Sequence, residues 1–178
     1  IYTSGTTGPP KGAIITHANI ASQIVNTPPL YGMRAGWRRP AFLPLCHVAE
    51  RMFTFFSLAS SGISHFIPAV SEFAERICEF QPDFILAVPR IYAKLHEAAI
   101  DWSAKQSSEI RTQYHSDLEI GLRRADLLLA AKSVPPELEE AFLPVRKRMR
   151  PGVHRAIGLS NACVLASGGA PFPTDLMR

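Results

Sequence analysis

The sequence predicts an α/β fold, a mostly parallel sheet flanked by helices, with a helical insertion over about residues 90–150. Three observations predict it. The run Phe84-Ile85-Leu86-Ala87-Val88 is continuously apolar, as strands buried on both faces of a parallel sheet are. A β-branched and aromatic run from Ile63 to Val70 precedes it, with an amphipathic helical stretch between, so the passage reads as βαβ-like. From Arg90 to Arg150 the pattern turns helical and more polar, before an apolar strand returns at Ala162–Ala166.

The elements follow in order. A Ser/Thr/Gly/Pro loop leads into the strand-like run Gly12–Thr16, and His17–Val25 has helical spacing through Ile20, Ile24 and Val25, closed by Pro28-Pro29. Arg38–Leu45 reads as loop then strand, centred on Ala41-Phe42-Leu43. Glu50–Ser60 predicts a helix apolar nearly all round, and therefore buried. Ser71 is placed to cap the next helix, whose first turn carries Glu72 and Glu75 and whose stripe is Phe73, Ile77 and Phe80. Gln81-Pro82-Asp83 ends it. Breaks in the long helical stretch are expected at Pro135-Pro136 and at Pro144. The loop Ser167-Gly168-Gly169-Ala170-Pro171 follows the last strand.

Bulk properties narrow the class. The 178 residues suit one ordinary domain or a large part of a bigger one, and 47% apolar against 19% charged residues excludes disorder. A net charge of +4 is too mild to imply nucleic acid as a partner. Cys46, Cys78 and Cys163 are scattered without CxxC spacing, which argues against a disulfide framework or zinc site and for a reducing, cytoplasmic setting. Nothing in these residues resembles a signal peptide, and the longest apolar stretches are far below membrane-spanning length. Ile1-Tyr2-Thr3 reads as the end of a strand already in progress, and Pro173–Arg178 as a helix start that soon stops. A piece of a longer chain, truncated at both ends, is therefore expected.

The strongest chemical signal is Tyr2-Thr3-Ser4-Gly5-Thr6-Thr7-Gly8-Pro9-Pro10-Lys11-Gly12. Its glycines let backbone approach a ligand, its hydroxyls and N–H groups can bond phosphate oxygens, and Lys11 adds a point charge. It is not a Walker A loop, because a proline precedes the lysine and a glycine follows it. Taken alone, the string leaves phosphate binding and an ordinary polar hairpin equally open.

A second signal is Leu43-Pro44-Leu45-Cys46-His47-Val48-Ala49-Glu50-Arg51, with His47 at a strand-to-helix junction. The plain alternative is a core histidine, with Glu50 and Arg51 a local ion pair. The third is Ala166–Pro171, a glycine loop after a buried strand, where ligands of open α/β sheets bind. The basic run Arg146-Lys147-Arg148-Met149-Arg150 suits a helix C-terminus. A second reading of it is peripheral contact with anionic lipid, each charge contributing roughly 1 kcal/mol.

The first string resembles the phosphate loop of the adenylate-forming superfamily, which includes acyl-CoA ligases, luciferases and peptide-synthetase adenylation domains. The His47-x-x-Glu50-Arg51 form and Val88-Pro89-Arg90 are similar to the long-chain fatty acid–CoA ligases, and the Ala166–Pro171 loop resembles the superfamily's adenine-side loop. The resemblance runs the length of the chain and is loosest between His96 and Ala141. Pro9 fills a slot that is variable in the family.

This resemblance implies part of the large N-terminal domain of an adenylate-forming enzyme. It implies that Thr3, Ser4, Gly5, Thr6, Thr7, Gly8 and Lys11 hold the ATP phosphates, that Thr3 helps hold Mg²⁺, and that His47 orients the reacting groups. Val48, Arg51, Ser167, Gly168, Gly169, Ala170 and Pro171 would border the adenine and acyl pockets. The implied reaction joins a fatty carboxylate to the ATP α-phosphate and then passes the acyl group to coenzyme A. The family's Tyr-Gly-x-Thr-Glu motif, ribose-binding Asp, hinge and catalytic lysine are not in these 178 residues, which alone are expected to be inactive. Rival readings are a fatty acyl-AMP ligase feeding a carrier protein, and a non-catalytic remnant that only binds lipid or nucleotide.

Overall fold

The computed structural model describes residue 9 and residues 11–176 in full, and the backbone of Tyr2, Thr3 and Met177. The chain divides into two compact units, Ile1–Phe73 with Pro82–Phe84, and Ala74–Gln81 with Ile85–Arg178. Among the described residues, β strands form three two-stranded sheets and helices supply most of the remaining structure.

In the first unit, β1 (Tyr2–Thr3) and β2 (Lys11–Gly12) pair antiparallel. Only Lys11 and Gly12 join β2, so the strand expected over Gly12–Thr16 is not formed. The helix α1 (His17–Leu30) starts on a capping box: Asn19 N–H donates to Thr16 Oγ1 (3.2 Å), and Thr16 N–H donates to Asn19 Oδ1 (3.1 Å). It runs through Pro28 and Pro29 instead of closing before them. The prolines remove the donors to the Ile24 and Val25 carbonyls, while their own carbonyls, at the helix end, accept from the Met33 and Gly32 N–H groups at 3.0 Å.

The strand β3 (Arg38–Ala41) lies ahead of the predicted centre, and pairs parallel with β4 (Ile63–Phe66). Between them runs α2 (Val48–Ala59), of which Glu50, Phe53, Phe56 and Ser57 are buried. Leu58 is 72% exposed, so the apolar surface expected to be buried all round is buried on one face only. Phe53 stacks on Phe84 (4.9 Å between centroids), and Tyr31 meets both rings at 6.0 and 5.6 Å. This aromatic cluster is the core of the unit. A 3₁₀ turn over Val70–Glu72, capped at Ala69, precedes α3 (Phe73–Phe80), so Ser71 lies inside the turn and does not cap.

In the second unit, β5 (Phe84–Ala87) pairs with β6 (Val164–Ser167), and Ile77 and Ile85 are wholly buried. Three helices follow β5: α4 (Pro89–Ala104), α5 (Ser108–Leu129) and α6 (Pro136–Met149). Pro136 opens α6 as expected, but Pro144 lies within that helix and does not break it. Asp117 pairs with Arg148, and Arg124 with Glu139, the order that antiparallel α5 and α6 produce. A π-helical turn (Arg150–His154) carries the chain from α6, and Val153 and Ile157 pack on Ala99 of α4. Gly158 has φ +80°, and a Cβ there would lie 2.6 Å from Ile77 Cγ1, so only glycine fits this crossing. The last element is α7 (Thr174–Met177).

Candidate functional site

The hairpin neck is set by register. Tyr2 lies opposite Gly12 and Thr3 opposite Lys11, which brings the two ends of the hydroxyl-rich string together. Lys11 is exposed at the end of this neck. Ser4, Gly5, Thr6, Thr7 and Gly8 lie outside the described residues, as does the side chain of Thr3.

The β3–α2 connection carries the second group. His47 is the N-cap residue of α2, in extended conformation (φ −74°, ψ 128°), and its side chain makes no capping bond. His47, Val48 and Arg51 are all exposed, and His47 and Arg51 are four residues apart, hence on one helix face. The turn itself closes through His47 N–H on Pro44 O (2.9 Å). Among the predicted site residues, these three are brought together in the first unit.

Glu50 is not part of that exposed face. Its carboxylate is buried, where Oε1 accepts from Arg39 Nη1 (2.7 Å) and Oε2 from the Leu43 N–H (3.2 Å). Arg39 is buried too, and it also donates to Ser64 Oγ (3.0 Å) and Thr54 Oγ1 (2.9 Å). Every polar arm of the pair that points inward is therefore met, as a buried ion pair requires. The local Glu50–Arg51 pair is corrected: adjacent helical residues point about 100° apart, and Arg51 Nε instead donates to Leu45 O (3.0 Å). A carboxylate three residues before buried Phe53 sits on the buried face of α2, and that was the available signal.

The third group belongs to the second unit. Ser167 closes β6, and Gly168, Gly169, Ala170 and Pro171 continue as an exposed loop. Gly169 has φ +83°, and a Cβ on Gly168 or Gly169 would meet nothing within 4 Å. The loop thus leaves open space beside its backbone. Behind it, Tyr92 of α4 sets its hydroxyl between Ala166 O (2.8 Å) and Ile85 O (3.2 Å), tying the helix to both strands. Burial pushes the Tyr92 phenol well above its usual range. Sequence reasoning gave Tyr92 no role beyond starting a helix; the shorter of its two contacts is to a residue 74 positions away.

Tyr92, Leu129, Leu165, Ser167, Phe172 and Leu176 line a cavity of about 440 Å³. A second, of about 520 Å³, shares Tyr92, Leu165 and Leu176 and extends along α4 and α5 to Tyr114 and His154. These walls are mostly aliphatic and aromatic, as in sites for apolar ligands. Among the described residues, no cluster of three His, Cys, Asp or Glu side chains could hold a metal ion, and no helix is long and apolar enough to cross a membrane. In the basic run, Arg148 is committed to Asp117, with Nε 2.9 Å from Oδ2, while Arg146, Lys147 and Arg148 occupy the last turn of α6 as the helix dipole favours.

Comparison with known proteins identifies the family. The chain is 30% identical over 182 residues to a protein of Mycobacterium tuberculosis named as a fatty-acid–CoA ligase, fadD11, matching 99% of this chain and 31% of that protein. It is 23% identical over 199 residues to a chloroplast long-chain-fatty-acid–acyl-carrier-protein ligase of Arabidopsis thaliana, matching 98% of this chain and 27% of the relative. Its fold matches the adenylation domain of a carboxylate reductase from Mycobacterium chelonae, with a TM-score of 0.57 and 22% identity over 99% of this chain and 23% of that one. The chain thus spans under a third of the length of these relatives. The family model for AMP-binding enzymes matches residues 1–177, which shows that this chain belongs to that family.

Proposed function

We propose that the chain forms the phosphate-loop and carboxylate-side portion of a long-chain fatty acid–CoA ligase, which couples ATP cleavage to acyl-adenylate and then acyl-CoA formation. The observation that carries the reading is the register of β1 and β2, which sets Thr3 against Lys11 at the neck of a loop rich in glycine and hydroxyls. A loop closed in this way can surround a polyphosphate with backbone N–H groups, hydroxyls and one ammonium. Thr3, Ser4, Thr6, Thr7 and Lys11 hold the β- and γ-phosphates, with Gly5 and Gly8 allowing close approach. Thr3 would help hold Mg²⁺, which when bound would supply charge neutralisation for the pyrophosphate.

The remaining residues position the second reactant. His47, unencumbered by capping, orients the carboxylate toward the α-phosphate from the start of α2. Val48 borders the same side, with Arg51 bonded back to the turn at Leu45 O, and Ser167 to Pro171 wall the adenine and the acyl chain. The aliphatic cavity beside Ser167 supports an alkyl substrate. Attack of a carboxylate oxygen forms the O–P bond and releases pyrophosphate; thiol attack on the adenylate then releases AMP. Charge neutralisation and alignment supply the catalysis.

Replacing Thr3, Thr6 and Lys11 together by alanine in the full-length protein tests the loop. MgATP binding, measured by calorimetry, is expected to weaken by at least tenfold, equivalent to about 1.4 kcal/mol. Unchanged binding would sink the reading. A second acceptor has support from the relative named as an acyl-carrier-protein ligase. Thioester formation measured with coenzyme A and with carrier protein in parallel separates the two, and transfer to carrier protein alone favours the second.

A further inference from the structure

We infer that Glu50 and Arg51 are positioning residues for His47, gripping its turn from opposite sides without touching substrate. The inference rests on the proposed role of His47. Two bonds carry it. Glu50 Oε2 accepts the Leu43 N–H (3.2 Å) where the chain leaves β3, and Arg51 Nε–H donates to the Leu45 carbonyl (3.0 Å) two residues before His47.

Both residues lie in the first two turns of α2, so strand end, turn and helix start are locked to one another. Four backbone residues, Pro44 to His47, are spanned. His47 N–H on Pro44 O (2.9 Å) and Arg51 N–H on His47 O (3.2 Å) leave the His47 backbone few alternatives. Glu50 is itself fixed, because Arg39 holds its other oxygen and is held in turn by Ser64 and Thr54. The buried carboxylate is thus an anchor referenced to the parallel β3–β4 pair. Arg51 is the exposed half of the clamp, and its carbonyl partner explains why an arginine in this place need not meet a ligand.

Positioning groups act on alignment. A displacement near 1 Å at a reacting group can cost on the order of a hundredfold in rate. In the full-length protein, Arg51→Met is expected to lower kcat for ATP–pyrophosphate exchange by roughly ten- to a hundredfold, while KM for MgATP and fatty acid moves by less than about twofold. Arg51→Lys, which keeps a donor for Leu45 O, recovers most of the loss. Glu50→Gln keeps an acceptor for Leu43 N–H and is the milder test of the inner grip.

The discriminating experiment is a double-mutant cycle with His47→Ala. If Arg51 acts through His47, Arg51→Met has no further effect once His47 is alanine. Equal losses in both backgrounds overturn the inference while leaving the ligase reading intact. So does a rise in KM at constant kcat, which makes Arg51 a substrate contact. Absence of any exchange activity, or full activity of His47→Ala, overturns the role of His47 and this inference together. Hydrogen exchange over residues 43–47 gives a readout independent of turnover: faster exchange in Arg51→Met is expected, and unchanged exchange counts against the clamp.

Discussion

Between Leu43 and Arg51 the chain is fastened to a buried ion pair and to the first turns of α2, whereas every residue from Ser167 to Pro171 is exposed. On the proposed role of His47, the first segment has a side chain to place, and its neighbours fix it. The second contributes backbone and absent side chains: a Cβ on either glycine would touch nothing. Rigidity at His47 comes from charge that must stay paired, and openness at Gly169 comes from a conformation that most residues avoid. The two segments should therefore respond to mutation through different physics.

The largest effect is expected at the anchor. Glu50→Ala leaves the Arg39 guanidinium buried without its carboxylate and the Leu43 N–H without an acceptor. A loss of about 3–5 kcal/mol in urea unfolding is expected. Replacing both partners with apolar residues, Arg39→Met with Glu50→Leu, should be less damaging than the single change, because no charge is stranded. A single variant within about 1 kcal/mol of wild type would mean water reaches the pair, and that the anchor is not one.

Next in size is the glycine loop. Gly169→Ala must hold φ near +83° with a Cβ, which costs about 1–2 kcal/mol although nothing blocks the space. Gly168→Ala has no such strain and should change stability by less than about 0.5 kcal/mol. Equal effects at the two positions, measured by thermal unfolding, would show that crowding and not backbone conformation sets the choice of glycine.

Much of this was legible in sequence where information is local. The capped α1, the apolar β5 and the helices over residues 89–149 all announce themselves through period and composition. Strand limits slipped by up to four residues because they depend on pairing: the run expected to reach Val70 ends as β4 at Phe66, opposite Ala41. Pro28, Pro29 and Pro144 misled because a proline disfavours a helix without always ending it, and all three lie inside α1 and α6. Within the candidate site, His47 and the glycines were visible as motif residues. Arg39 was not, because its partner is eleven residues on and reaches it only after β3 and α2 have formed. Tyr92 was hidden for the same reason.

The smallest effect is a titration in the second unit, where the contrast between buried and open groups can be read by pH. Burial first, and then the Arg150 charge, hold the His154 imidazole below its ordinary 6.5. The folded state therefore prefers neutral His154, while the unfolded chain takes up a proton as pH falls past 6.5. Stability from this residue is complete above that pH and declines below it until the folded imidazole also protonates. His65 in β4 is depressed by burial and Arg38 in the same direction, but it is less deeply buried and contributes less. Asp117 behaves differently: the Arg148 hydrogen bond leads in holding its carboxyl below 3.8, so its contribution is retained until pH falls past that value. Unfolding midpoints in urea from pH 7 to pH 3 should thus fall in two steps. His154→Gln is expected to flatten the upper step and leave the lower one, and Asp117→Asn to do the reverse. An unaltered upper step in His154→Gln would assign it to other groups, and would show that the imidazole is solvated despite the helices around it.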